Sequence, residues 1–203
     1  MKKIIFGLIV ILAISAVNVN AQSITGGIKA NANLSNFILT DMGNAESTMN
    51  MGASVGGFLK VDLGRNLAIQ PELMFHFKSS KMEQAGVAED DYQYFGVDIP
   101  VYLMGQWYTG NSNRFYVGVG PYVGLGFSAK YNDADVDLYE EVSGQSPMQR
   151  FDFGFGTQVG YEFANGLQIN AGYKIGVVDA LDAGKDNATM LPQMVSLGLG
   201  YRF

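Results

Sequence analysis

Apolar and polar residues alternate one by one along this chain, in eight separate stretches. The apolar phase of the first is Ile24, Gly26, Ile28, Ala30, Ala32 and Leu34; that of the second is Ala53, Val55, Gly57, Leu59 and Val61. The same phase then runs from Leu67 to Phe77, Phe95 to Trp107, Phe115 to Phe127, Phe151 to Phe163, Leu167 to Val177 and Gln193 to Phe203. A period of two is the period of a β-strand, whose successive side chains point to opposite faces. No charged residue stands in the apolar phase of any stretch. The opposite phase, with its flanks, holds Lys29, Lys60, Lys78, Lys174 and Arg202 against Asp62, Glu72, Asp98, Asp152 and Glu162. Each stretch is about eleven residues, close to the ~9–11 that let a tilted strand cross a bilayer.

The spacers alternate as well. Leu63–Asn66, Tyr108–Arg114 and Ala164–Gly166 are short, whereas Ser35–Met51, Ser79–Asp91, Ala129–Met148 and Asp179–Leu191 are long and polar. Short turns at one end and long loops at the other predict an all-β fold, an eight-stranded antiparallel up-and-down transmembrane β-barrel. Both termini then lie with the short, periplasmic turns. Aromatic residues fall where two membrane interfaces belong. Phe75, Phe77, Phe95, Phe127, Phe151 and Phe153 lie near the long loops, and Trp107, Phe115, Tyr161, Phe163, Tyr201 and Phe203 near the short turns. Such belts flank the apolar band of a membrane barrel. Pro71, Pro100 and Pro121 stand inside the stretches, so each calls for a bulge or a missing ladder bond.

The N-terminus adds a compartment. Lys2 and Lys3 precede an apolar stretch from Ile4 to Ala16, and Val19-Asn20-Ala21 supplies a small exit residue. This predicts a signal peptide over residues 1–21, cleaved after Ala21, and a barrel domain over 22–203. The chain has no cysteine, which excludes a lipid-modified N-terminus, disulfides and thiolate metal sites. The formal net charge of −6 becomes −8 without the two leading lysines. An acidic chain with no basic run is unsuited to nucleic acid.

Eight strands leave an interior that side chains just fill. Five inward cations against five inward anions predict a salt-bridge network that closes the lumen, since buried charge is tolerated only when paired. Tyr94, Tyr102, Tyr116 and Tyr122 would fill volume beside inward glycines. The long loops carry Asp41, Glu46, Glu83, Glu89, Asp90, Asp91, Asp133, Asp135, Asp137, Glu140, Glu141, Asp179, Asp182 and Asp186, and sum to −11 with their three lysines. Asp133-x-Asp135-x-Asp137 starts like a calcium loop but lacks the glycine and glutamate that complete one. His76 is the single histidine, four residues after Glu72, with Ser54, Ser79 and Ser80 as the available hydroxyls. None has a nucleophile motif around it, so no catalytic, cofactor or metal residue is assigned and the chain is read as non-enzymatic.

Four motifs carry a family resemblance. Tyr94-Phe95-Gly96-Val97-Asp98-Ile99-Pro100-Val101-Tyr102-Leu103, Tyr116-Val117-Gly118-Val119-Gly120-Pro121-Tyr122, Phe151-Asp152-Phe153-Gly154 and Gly198-Leu199-Gly200-Tyr201-Arg202-Phe203 resemble strands of the PorT-like small outer-membrane β-barrel family of the Bacteroidetes. The resemblance spans the chain beyond residue 21. It implies the barrel fold, the cell outer membrane as location, and strands that accommodate Pro100 and Pro121. The expected partners are outer-membrane lipid, the barrel assembly machinery through the strand ending at Phe203, and a surface or secretion partner at the acidic loops. The expected state is a monomer with a structural or surface-interaction role. The alternatives are an accessory of protein secretion, which the resemblance suggests, and a small-solute pore.

Overall fold

The computed structural model describes residues 23–40, 45–84, 90–110, 112–131, 150–179 and 189–203. The leader over 1–21 and most of the acidic loop residues, including Asp133, Asp135 and Asp137, lie outside them. Eight strands follow in order: β1 Ser23–Thr40, β2 Ala45–Asp62, β3 Leu67–Gln84, β4 Asp90–Thr109, β5 Asn113–Tyr131, β6 Phe151–Glu162, β7 Leu167–Gly176 and β8 Thr189–Arg202. Each pairs antiparallel with its neighbour, and β8 returns to β1 from Gly27↔Arg202 to Thr40↔Thr189, so the sheet closes into a barrel. Closure leaves no strand edge, the condition for carrying backbone amides through lipid.

The alternation sets the two faces. Leu59, Val119, Leu103 and Phe155 are among the exposed apolar residues on the outer wall, while Lys29, Lys60, Glu72, Asp98 and Glu162 are buried inside. A secreted calyx with a greasy interior and a polar exterior would show the opposite arrangement.

The first long spacers are shorter than their composition suggests. Most of Ser35–Met51 and Ser79–Asp91 is strand, because β1 and β2 approach each other to residues 40 and 45, and β3 and β4 to 84 and 90. Toward the long loops the inward phase takes up apolar residues as well, Phe37 being buried beside the exposed Ile38, so the alternation fades while the hydrogen-bond ladder continues. On the other side of the barrel β6 and β7 are only 12 and 10 residues long.

The prolines are accommodated by lapses in the ladder. The β2–β3 register passes from Phe58↔Glu72 to Val61↔Ile69, skipping Pro71; β3–β4 passes from Pro71↔Val101 to Met74↔Asp98, skipping Pro100; β4–β5 passes from Pro100↔Tyr122 to Leu103↔Val119, skipping Pro121. A proline has no N–H to give, and the register resumes unshifted beyond each. True register shifts lie nearer the long-loop end, between Met49 and Ala53 and between Phe95 and Gly96.

The short-turn end is tightly tied. Asn66 Nδ2 donates to the Gln106 carbonyl at 2.8 Å. Gly166 adopts φ +88°, the left-handed region that favours glycine, and its carbonyl accepts the Arg202 N–H at 2.9 Å. The Phe203 N–H donates to the Gly26 carbonyl at 3.0 Å, so the two described chain ends meet beside the short turns.

Candidate functional site: the charged lumen

Every predicted lumen charge projects inward, and the barrel sorts them into three clusters. Nearest the short turns, Glu162 is the hub. Its Oε1 lies 2.6 Å from Arg114 Nη2 and 2.7 Å from Arg202 Nε, and its Oε2 accepts Gln168 Nε2 at 2.7 Å. Beside it Gln106 takes a hydrogen bond from Lys60 and donates to Asp62 at 2.8 Å, while Lys60 and Asp62 stand 3.5 Å apart. Charge-assisted bonds of this kind are the strong ones, and every member of the cluster has a partner.

The middle cluster is Lys29 with Glu72 at 2.5 Å. Lys29 also donates to Gln158 at 2.8 Å, and Glu72 accepts Gln70 at 2.8 Å. Lys29 stands over the Phe58 ring at 5.4 Å. Phe58, an inward aromatic in an otherwise polar phase, finds its room where Gly27 on β1 has no side chain. A buried patch of Ala68, Tyr102, Met104 and Tyr116 fills the width beside these charges. The glycines let the rings in: a Cβ on Gly160 would strike the Tyr116 ring, and one on Gly156 would sit 2.9 Å from the Tyr102 hydroxyl.

The third cluster, toward the long loops, centres on Asp98. Its Oδ2 lies 3.1 Å from Lys174 and 3.5 Å from Lys78, and its Oδ1 lies 3.3 Å from His76 Nδ1. Asp152 accepts the Tyr122 hydroxyl at 2.8 Å. His76 thus sits on a carboxylate, but neither Ser54 nor Ser79 completes a relay. Ser54 Oγ is engaged with Asn31 and Asn33, and Ser79 Oγ donates to the Met51 carbonyl at 3.0 Å. Among the described residues no group of three or more His, Asp or Glu could hold a metal ion.

One expectation needs correction. The inward charges are not five against five, because Arg114 is a sixth inward cation. The Tyr108–Arg114 spacer hides it, but β5 begins at Asn113 and so turns Arg114 into the lumen, 5% exposed. Arg114 shares the phase of Tyr116 and would have been found by extending the alternation one step. The bridging amides Gln70, Gln106, Gln158 and Gln168 were also overlooked, although all stand in the charged phase. An amide offers both a donor and an acceptor, which is what a crowded mixed-charge interior needs.

On the outer wall the aromatic residues occupy two levels. Phe95 and Phe127 pack at 5.9 Å toward the long loops; Trp107 and Phe115 at 6.1 Å and Tyr161 and Phe163 at 5.1 Å lie toward the short turns, where Tyr201 and Phe203 meet at 6.5 Å. Phe75, Phe77, Phe151 and Phe153 complete the first level.

Comparison with known proteins agrees with this geometry. The sequence profile described as "Outer membrane protein beta-barrel domain" matches residues 20–182. Among solved structures, the outer membrane protein OprG from Pseudomonas aeruginosa is similar with a TM-score of 0.56 at 11% identity, over 88% of this chain and 96% of that one. Neisserial surface protein A is similar with a TM-score of 0.50 at 12% identity, over 89% of this chain and 99% of that one. Likeness at such identity speaks to fold alone. No curated protein sequence matches this chain.

Proposed function

The chain belongs to the outer membrane protein beta-barrel domain family, and from that premise we propose that it is a closed, non-conducting, non-catalytic barrel with a structural or surface-interaction role. It resides in the outer membrane. The observation that carries the closed reading is the filling of the lumen. The two cavities described inside are about 80 Å³ and about 20 Å³, and the smaller has room for about one water molecule. Between and below them, ion pairs and amide bridges from β1, β3 and β6 cross the barrel axis: Lys29, Glu72 and Gln158 come from three strands and touch one another. An ion on this path would have to displace these contacts. The expected result in planar lipid bilayers is therefore no steady conductance; discrete single-channel steps from the refolded protein would refute closure.

The rest of the reading follows the same orientation. Residues 1–21 are a cleaved leader, both ends of the barrel face the periplasm, the ten predicted lumen charges together with Arg114 hold the interior shut, and the two aromatic belts mark its depth in lipid. The strand ending at Phe203 is the contact for the assembly machinery, the acidic loops face outward, and the barrel is a monomer. The non-catalytic reading rests on Ser54 and Ser79 being engaged elsewhere and on the lack of a nucleophile motif around His76. The PorT-like motifs of β4 to β6 favour a second reading, an accessory of protein secretion; a deletion strain that still exports its cargo would remove it.

A further inference from the structure

The inward groups nearest the long-loop end enclose the cavity of about 80 Å³. Its floor is the Asp98 cluster, where Lys174 and Lys78 converge on one carboxylate oxygen. Exposure decides which sign this floor presents. The Asp98 side chain is 1% exposed, whereas those of Lys78 and Lys174 keep 15% and 12%. The second oxygen of Asp152 is covered too. Lys78 and Lys174 formally balance Asp98 and Asp152, which line the same cavity, but the Asp98 side chain is far more covered than either lysine. Arg150, exposed at the lip, lines the same cavity and adds a third cation. Each ammonium has three donors, more than one shared oxygen accepts.

The walls are of another character. Phe37 and Tyr94 meet edge to face at 5.5 Å on one side. On the other, Phe95, Leu125 and Phe151 line the cavity although they belong to the lipid-facing phase. Among the described residues β6 starts at Phe151 and β7 stops at Gly176, while β5 runs on to Tyr131. Gly124 and Gly126 thin the wall. A cationic floor joined to an apolar wall that is continuous with the membrane face fits a molecule with an anionic head and a hydrocarbon body.

We propose that this outer cavity binds a single-chain anionic amphiphile, its head on Lys78 and Lys174 and its chain along Phe95, Leu125 and Phe151 toward the bilayer. This goes beyond the closed-barrel reading and does not depend on it, since the cavity lies on the loop side of the Lys29–Glu72 cluster. The test is calorimetric titration of the refolded protein in phosphatidylcholine nanodiscs, with empty nanodiscs as background. Decanoate should bind saturably, decyltrimethylammonium should not rise above background, and acetate should bind far more weakly than decanoate. Lys78→Gln with Lys174→Gln should weaken decanoate binding about tenfold or more, the loss expected when charge-assisted hydrogen bonds are removed. Arg65→Gln, at the opposite end of the barrel, should bind as the unaltered protein does. Equal binding of the anionic and cationic chains, or unchanged binding in the double variant, overturns the proposal. Acetate binding as tightly as decanoate overturns it as well, by removing the need for an apolar body. The anion–cation comparison uses the unaltered protein, so it decides even if the double variant fails to refold.

Discussion

Replacing Glu162 by glutamine tests the lumen most sharply. Its carboxylate is 1% exposed and serves three donors, Arg114, Arg202 and Gln168. Glutamine keeps the shape and one acceptor oxygen but removes the charge. The two arginines respond differently. The Arg202 side chain is 26% exposed and can turn toward water, while the Arg114 side chain is 6% exposed and cannot. Breaking a buried pair by removing one partner costs ~3–5 kcal/mol, because the other charge stays uncompensated. A pair open to solvent contributes ~0–1 kcal/mol. Nearly all of the loss should therefore pass through Arg114. The expected destabilisation for Glu162→Gln is about 3 kcal/mol or more. Double-mutant cycles should give a Glu162–Arg114 coupling of about 2–3 kcal/mol and a Glu162–Arg202 coupling below about 1 kcal/mol. Urea unfolding in phospholipid vesicles measures this, with Trp107, the single tryptophan, as the fluorescent reporter on the lipid face. A Glu162→Gln cost under about 1 kcal/mol, or a larger coupling to Arg202 than to Arg114, would refute the assignment of Glu162 as the buried hub.

Val119→Arg places a charge on the lipid face between the two belts and should cost ~2–4 kcal/mol in the same assay, whereas Arg65→Gln at a solvated turn should change stability by less than about 0.5 kcal/mol. Gly160→Ala inserts a Cβ into the Tyr116 ring and the Ile169 carbonyl, and overpacking of this kind should cost ~1–3 kcal/mol; relief of that loss by Tyr116→Leu would trace it to the ring. Heat-modifiable mobility in the membrane fraction should accompany the folded protein. A chain extracted without detergent would contradict the outward apolar face.

Much of the fold was legible because lipid imposes one rule on every strand: a charge on the outer phase is costly, so the phases separate cleanly from Ile24 to Phe203. What escaped is where that rule stops applying. Residues 35–40 and 79–84 are strand, yet apolar residues stand in both phases at Phe37 and Ile38 and polar ones in both at Ser79 and Ser80, so alternation carries no signal there. Arg114 escaped for the opposite reason. It stands one step inside a turn-like segment, where composition outweighed phase. The partners of Lys29, Glu162 and Asp98 were beyond reach of periodicity, since tilt and stagger decide which rung of β1 meets which rung of β6. Gln158, 129 residues from Lys29, is found only when the cylinder closes.

Pro71, Pro100 and Pro121 interrupt three successive strand interfaces at nearly one height, and Val101 pairs with Pro71 on one side while its bridge to Pro121 is skipped on the other. They therefore form one continuous soft seam through a quarter-turn or so of wall, not three scattered defects. A cylinder stiffened everywhere but along such a seam does not flex evenly; it ovalises, flattening where rungs are missing and holding its curvature where β6 to β8 are fully laddered. Lateral pressure from the bilayer would thus be taken up on one flank, the one from which Glu72 and Asp98 reach across to Lys29 and Lys174.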